Sequence, residues 1–126
     1  MTEPLRVLFV SPTSQNIYGA EKALYKLIER LPRDRIAPSL LVLKPIPLEL
    51  RRWLEAQKVK TIESRFRGWC YMPSSRYQRV RRFMRLADNL RVALHLNYTI
   101  GSYDLIYSNT TSSPIGAMIA MFRACP

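Results

Sequence analysis

Four short runs of β-forming residues alternate along this chain with stretches of helical period, and no two of the runs are joined by a tight turn. The first run is Arg6-Val7-Leu8-Phe9-Val10, apolar almost throughout, as expected of a strand buried on both faces. A polar loop, Ser11 to Tyr18, follows it. Ala20, Leu24, Leu27, Ile28 and Leu31 then recur at helical spacing until Pro32 stops the pattern. Ile36 to Leu43 reads as a second buried strand, with Pro38 admissible only because it lies near the start. Pro47 suits the first turn of a helix over Leu48 to Ala56, and Val59 to Ile62 is a weaker third strand. Glu63 to Ser75 is a loop with aromatic anchors Phe66, Trp69 and Tyr71. The longest helix runs from Arg76 to Asn97. It carries Tyr77, Val80, Phe83, Met84, Ala87, Leu90 and Leu94 on one face and Arg79, Arg81, Arg82 and Arg85 mostly on the other. Tyr103 to Tyr107 is the fourth strand, and Ser113-Pro114 caps and opens a last helix to about Arg123.

Strands separated by helices pair in parallel through crossovers, so the expected fold class is α/β. It is a Rossmann-like, doubly wound parallel sheet with helices on both faces, in one domain over residues 1–126. A hydrophobic share of 48% in 126 residues is ordinary for a chain that buries a core. No apolar run approaches the ~20 residues of a membrane span, and the start lacks the basic and apolar regions of a signal peptide. Cys70 and Cys125 are too few for a disulfide scaffold or a cysteine zinc site. The expected location is cytoplasmic.

Charge is concentrated in the middle of the chain. The formal net charge is +11, and residues 51–91 hold 12 basic against 3 acidic side chains. Such a segment suits phosphates, nucleic acid or anionic lipid, and the plain alternative is a solvated helical face without a partner. Trp69, Arg76, Arg79, Arg82 and Arg85 are the candidate residues of a membrane or anion surface.

In a doubly wound sheet, ligands bind beyond the carboxyl ends of the strands. That directs attention to Ser11–Gly19 and Ser108–Ser113. Gly19 and Ala20 open a helix whose free N–H groups favour an anion, although Gly19 also suits a simple tight turn. Six small polar residues end the fourth strand, of which Asn109 and Thr110, together with Ser11 at the end of the first strand, are the candidate contacts to hydroxyl groups. Thr111 to Ser113 suffice to satisfy backbone at the helix start. The chain has no G-x-G-x-x-G after the first strand, no P-loop motif and no G-x-S-x-G elbow. The sole histidine, His95, falls inside a helix, where a surface position is expected.

The stretch Val7-Leu8-Phe9-Val10, a polar loop, Tyr18-Gly19-Ala20-Glu21, then Leu24 and Leu27-Ile28 resembles the start of family 4 glycosyltransferases, in which a Gly-Gly-x-Glu turn follows the first strand. Tyr103-Asp104-Leu105-Ile106-Tyr107-Ser108-Asn109, then Gly116-Ala117 and a helix ending Arg123-Ala124-Cys125-Pro126, resembles that family's later strand and helix. The resemblance implies a GT-B enzyme with two Rossmann-like domains facing a cleft, this chain being the N-terminal, acceptor-side domain. It further implies a nucleotide-sugar donor, contacted at its diphosphate by Gly19 and Ala20, and a glycan or lipid-linked acceptor near Ser11, Asn109 and Thr110. No catalytic residue, metal or cofactor is carried over. Tyr18 stands where the family has its first glycine, and Tyr107-Ser108-Asn109 where a histidine often ends the strand.

A family member continues past Pro126 into a fifth strand and a donor domain, so the 126 residues are expected to be C-terminally truncated and inactive alone. An uncovered sheet edge, inviting self-association, is expected with that. The resemblance further implies that the basic helix from Arg76 to Arg91 holds the chain peripherally on the inner face of a membrane. The competing expectation is a non-enzymatic basic module binding nucleic acid or anionic membrane, although no RNP-type aromatic pattern, helix-turn-helix or zinc spacing supports a nucleic-acid fold.

Overall fold

The computed structural model describes residues 3–11, 19–66, 76–109 and 114–123. The elements are β1 (Leu5–Ser11), α1 (Gly19–Arg30), β2 (Ile36–Leu43), α2 (Leu48–Ala56), β3 (Lys60–Ser64), α3 (Arg76–Thr99), β4 (Leu105–Ser108) and α4 (Ile115–Arg123). The four strands form one all-parallel sheet in the order β3-β2-β1-β4, so the α/β alternation is realised as expected.

Each strand of the central pair divides its side chains between two cores because successive residues point to opposite faces. Val7 and Phe9 of β1 join Leu40 and Val42 of β2 beneath Leu24, Tyr25 and Ile28 of α1 and Leu50 and Leu54 of α2. Leu8, Val10 and Leu41 face the other way, toward Ala93 and Leu96 of α3 and Ile115 and Ile119 of α4. Full burial of a leucine such as Leu40 or Leu41 contributes roughly 1.5–3 kcal/mol. Pro38 is tolerated because pairing with β3 begins only at Ser39, which leaves its missing N–H facing no ladder on that side.

The second strand and second helix have the bounds expected from sequence. β3 and β4 begin later than expected, at Lys60 and Leu105. Phe66 is the one anchor of the intervening loop among the described residues, and it is buried in the α3/α4 core. Trp69 and Tyr71 lie outside the described residues.

Two helices present a different stripe to the sheet than their apolar residues suggest. In α1 the buried positions are Glu21, Leu24, Tyr25 and Ile28, while Ala20 and Leu27 are exposed. The helix is rotated toward its polar pair because Tyr25 and Glu21 reach the end of β1. In α3 the packed positions are Asn89, Ala93 and Leu96, and no described side chain between Tyr77 and Asp88 is buried. Tyr77 is 82% exposed and Phe83 73%, so the apolar face of the first three turns is not core. Length explains this. A helix of 24 residues spans about 36 Å, whereas strands of 4–8 residues span only about 13–27 Å. The helix outruns the sheet.

Helix ends are closed by specific contacts. The Arg123 guanidinium donates to the carbonyls of Asn97 (2.5 Å), Ile100 (2.8 Å) and Gly101 (2.6 Å), which α3 leaves without helical partners. At the end of α2, Lys58 N–H bonds Glu55 O and Val59 N–H bonds Leu54 O, a Schellman motif with Lys58 in the left-handed region (φ 53°). Arg51 and Glu63, 2.8 Å apart, tie α2 to β3.

Candidate functional site

Strand order decides where a ligand can enter. From β1 the chain steps outward to β2 and β3, then returns to place β4 on the opposite side of β1. Past the carboxyl ends of β1 and β4 the chain therefore departs to α1 on one face and to α4 on the other. In parallel sheets of this kind the ligand crevice lies at such a divergence.

Its floor is continuous. Asn109 N–H donates to Val10 O (3.2 Å), extending the β1–β4 pairing by one residue beyond the register that ends at Val10 and Ser108. The Phe9 and Tyr107 rings lie 5.5 Å apart on the α1 side. On the α4 side, Gly116 permits the first helical turn to sit against the strand ends. A Cβ there would stand 2.1 Å from Ser108 Oγ and 3.4 Å from Val10 Cγ2. The sequence offered the Ser113-Pro114-Ile115-Gly116 helix start, but nothing in it said that Gly116 is the residue of closest approach.

The wall toward α1 is polar and buried. Ser11, Glu21 and Tyr25 come together at the end of β1, with Ser11 and Glu21 at most a few percent exposed. Burial pushes the Tyr25 phenol above its usual value near 10; the Ser11 hydroxyl partly offsets this and the Glu21 carboxylate adds to it. Glu21 thus acts differently from a surface carboxylate in a first turn. It is a packed group of the crevice wall. Glu21 and Tyr25, four residues apart, share a face with Leu24 and Ile28, but a carboxylate in a first turn reads equally well as a surface residue favoured by the helix dipole.

Gly19 and Ala20 are exposed at the N-terminus of α1. The backbone of Gly19 is not left-handed, and among the described residues an added Cβ would meet nothing within 4 Å. Neither a strained turn nor close packing calls for glycine there, and the first amides of α1 have no intrahelical acceptor. Ser11 is wholly buried, so it presents no surface to a ligand as it stands. Asn109 is half-buried, and its Nδ2 has no hydrogen-bond partner among the described residues. Thr110 lies outside the described residues.

The candidate anion surface is elsewhere, on α3. Arg79 and Arg82 are exposed, Arg85 is half-buried, and Arg76 begins the helix. His95 is exposed on the same helix. Among the described residues no helix is long and apolar enough to cross a membrane, and no three histidine, cysteine or acidic side chains gather as metal ligands. Comparison of the chain with known protein families, with curated proteins and with solved structures gives no match.

Proposed function

We propose that this chain is the acceptor-side domain of a nucleotide-sugar-dependent glycosyltransferase, with the β1/β4 crevice as its half of the active site. The observation that carries the reading is the α1 N-terminus at the switch in strand order, where Gly19 and Ala20 are exposed and the first helical amides have no intrahelical acceptor. A diphosphate bound there gains from amide hydrogen bonds and from the helix dipole, about 0.3–1 kcal/mol for the dipole alone. Asn109, on the facing strand end, holds a buried Nδ2 without a hydrogen-bond partner among the described residues, a donor suited to a sugar hydroxyl that reaches it. The order of motifs that resembles family 4 glycosyltransferases supports the same assignment, and the transferred group is then a hexose passed to a glycan or lipid-linked acceptor.

The test is transfer from a labelled nucleotide sugar by the protein expressed with the coding sequence downstream of Pro126. Gly19→Val is the decisive variant, because among the described residues nothing stands within 4 Å of an added Cβ, while the valine side chain blocks the amides. Transfer should fall at least a hundredfold. Normal turnover by Gly19→Val sinks the reading.

A second reading, an anionic membrane surface as partner, is favoured by the first half of α3. Tyr77, Val80, Phe83 and Met84 are exposed on the same three turns as Arg79, Arg81 and Arg82. A helix that offers arginines and aromatic side chains together suits the interface of a bilayer. Flotation with vesicles containing phosphatidylglycerol should carry the protein upward, and Phe83→Ser should weaken this. Equal flotation with purely zwitterionic vesicles counts against an electrostatic contribution.

A further inference from the structure

The amino ends of the strands, opposite the crevice, border an open hollow of about 460 Å3. Four cations line it: Arg6 from β1, Arg33 from the turn after α1, Lys58 from the turn after α2, and Lys60 at the start of β3. No acidic side chain is among its lining residues, and among the described residues none of the four cations is in an ion pair. Asp104 stands beside the rim, where its carboxylate accepts the Arg6 backbone N–H at 2.7 Å. Four like charges converging on one concavity repel one another, and the low-dielectric walls strengthen the field inside it.

Helix-end electrostatics explain only part of this gathering. Arg33 donates to Ile28 O of α1 (2.9 Å), and Lys58 follows the end of α2, both positions where a cation is favoured. Arg6 and Lys60 sit on strands and have no such reason. Each guanidinium also keeps donors to spare, since Arg33 Nη2 is engaged by one carbonyl and Arg6 Nη2 by Ser102 Oγ. Lys58 is the more telling residue. It occupies the left-handed position that closes the α2 Schellman motif, where glycine would be free of strain. A lysine there retains a charged side chain on the hollow at the expense of an unfavourable backbone conformation.

The geometry points to this hollow as a binding site for an oligophosphate, an anion bearing two or more linked phosphate groups. Two guanidinium forks and two ammonium groups match three to four negative charges spread over tetrahedral oxygens. The volume lies within the range of small-ligand sites. This assignment is independent of the crevice, which lies at the other end of the sheet.

Isothermal titration with pyrophosphate in about 0.15 M salt tests it, accompanied by thermal melts. Measured in the Gly19→Val background, whose crevice amides are blocked, the chain should bind one equivalent saturably and melt higher in its presence. Lys58→Gly combined with Lys60→Gln should weaken binding at least tenfold, and Lys58→Gly alone should keep or raise the melting temperature while weakening binding. A Lys22→Gln/Lys26→Gln pair on α1 removes the same charge elsewhere and should leave binding unchanged. Absence of saturable binding, an equal loss from the α1 pair, or citrate binding as tightly as pyrophosphate overturns the site. Tripolyphosphate and ADP identify the source. Both should bind, and ADP binding more tightly than pyrophosphate marks a nucleotide ligand, whereas tripolyphosphate binding more tightly than ADP marks a free oligophosphate.

Discussion

The half of the sheet covered by α1 and α2 and the half covered by α3 and α4 are built from similar residues but are finished differently. On the first face, two helices of 12 and 9 residues lie within the length of the strands and bury their stripes along most of their turns. On the second, the 24-residue α3 meets the sheet only with its carboxyl half, and its amino half projects with its apolar residues uncovered. Hydrophobic periodicity therefore reports that a helix has a side to bury, but not that the rest of the fold is long enough to bury it.

The contrast predicts a graded response to substitution. Leu40, wholly buried on the first face, should cost about 3 kcal/mol as Leu40→Ala, or roughly 10 °C in melting temperature. A loss below 1 kcal/mol in a denaturant melt would mean that this face is not the tightly packed one. Arg123→Met removes three charge-assisted bonds at the end of α3 and should cost about 2 kcal/mol, with helicity lost near Ile100. Gly116→Ala pushes against Ser108 Oγ and should cost about 1 kcal/mol, most of it recovered in the Gly116→Ala/Ser108→Ala double variant. Failure of that rescue would place the strain in the backbone of α4 instead. Phe83→Ser on the projecting half of α3 should change stability by less than about 0.5 kcal/mol. A cost of 2 kcal/mol there would collapse the comparison, because it would require a packed partner for that face.

The smallest effect concerns Tyr25. Its pKa is raised in the folded state, so the stability linked to its protonated form is complete below about pH 10 and is lost as pH climbs through the raised value. Stability curves of the parent and Tyr25→Phe should run parallel near pH 8 and converge or cross only above 10. A constant offset between the curves reports pH-independent packing, whereas divergence at neutral pH would mean that a group other than the Tyr25 phenol carries the linkage.

The fold was legible where local signals and tertiary packing agreed. Ile36–Leu43 is legible because a run that is apolar except at Ser39, flanked by Arg35 and Lys44, reads as a strand buried on both faces. Leu48–Ala56 was bounded by Pro47 in front and by the polar Gln57-Lys58 pair behind. The burial of Glu21 was not legible, since a carboxylate in a first turn reads equally well as a surface residue favoured by the helix dipole. Its true position depends on Ser11 and Tyr25, which are distant from each other in sequence. The strand order that creates the crevice, and the meeting of Arg6, Arg33, Lys58 and Lys60 at its far end, are likewise products of crossovers that no local pattern encodes.

The clasp made by Arg123 joins segments that are more than twenty residues apart in the chain. Release of α4 from the sheet strips the last carbonyls of α3 of their donors at the same moment. The two termini therefore open as one cooperative unit, whose amides exchange with solvent at a common rate. The projecting half of α3 takes no part in that unit. With no buried side chain between Tyr77 and Asp88 among the described residues, it is expected to open at a smaller free energy than the sheet.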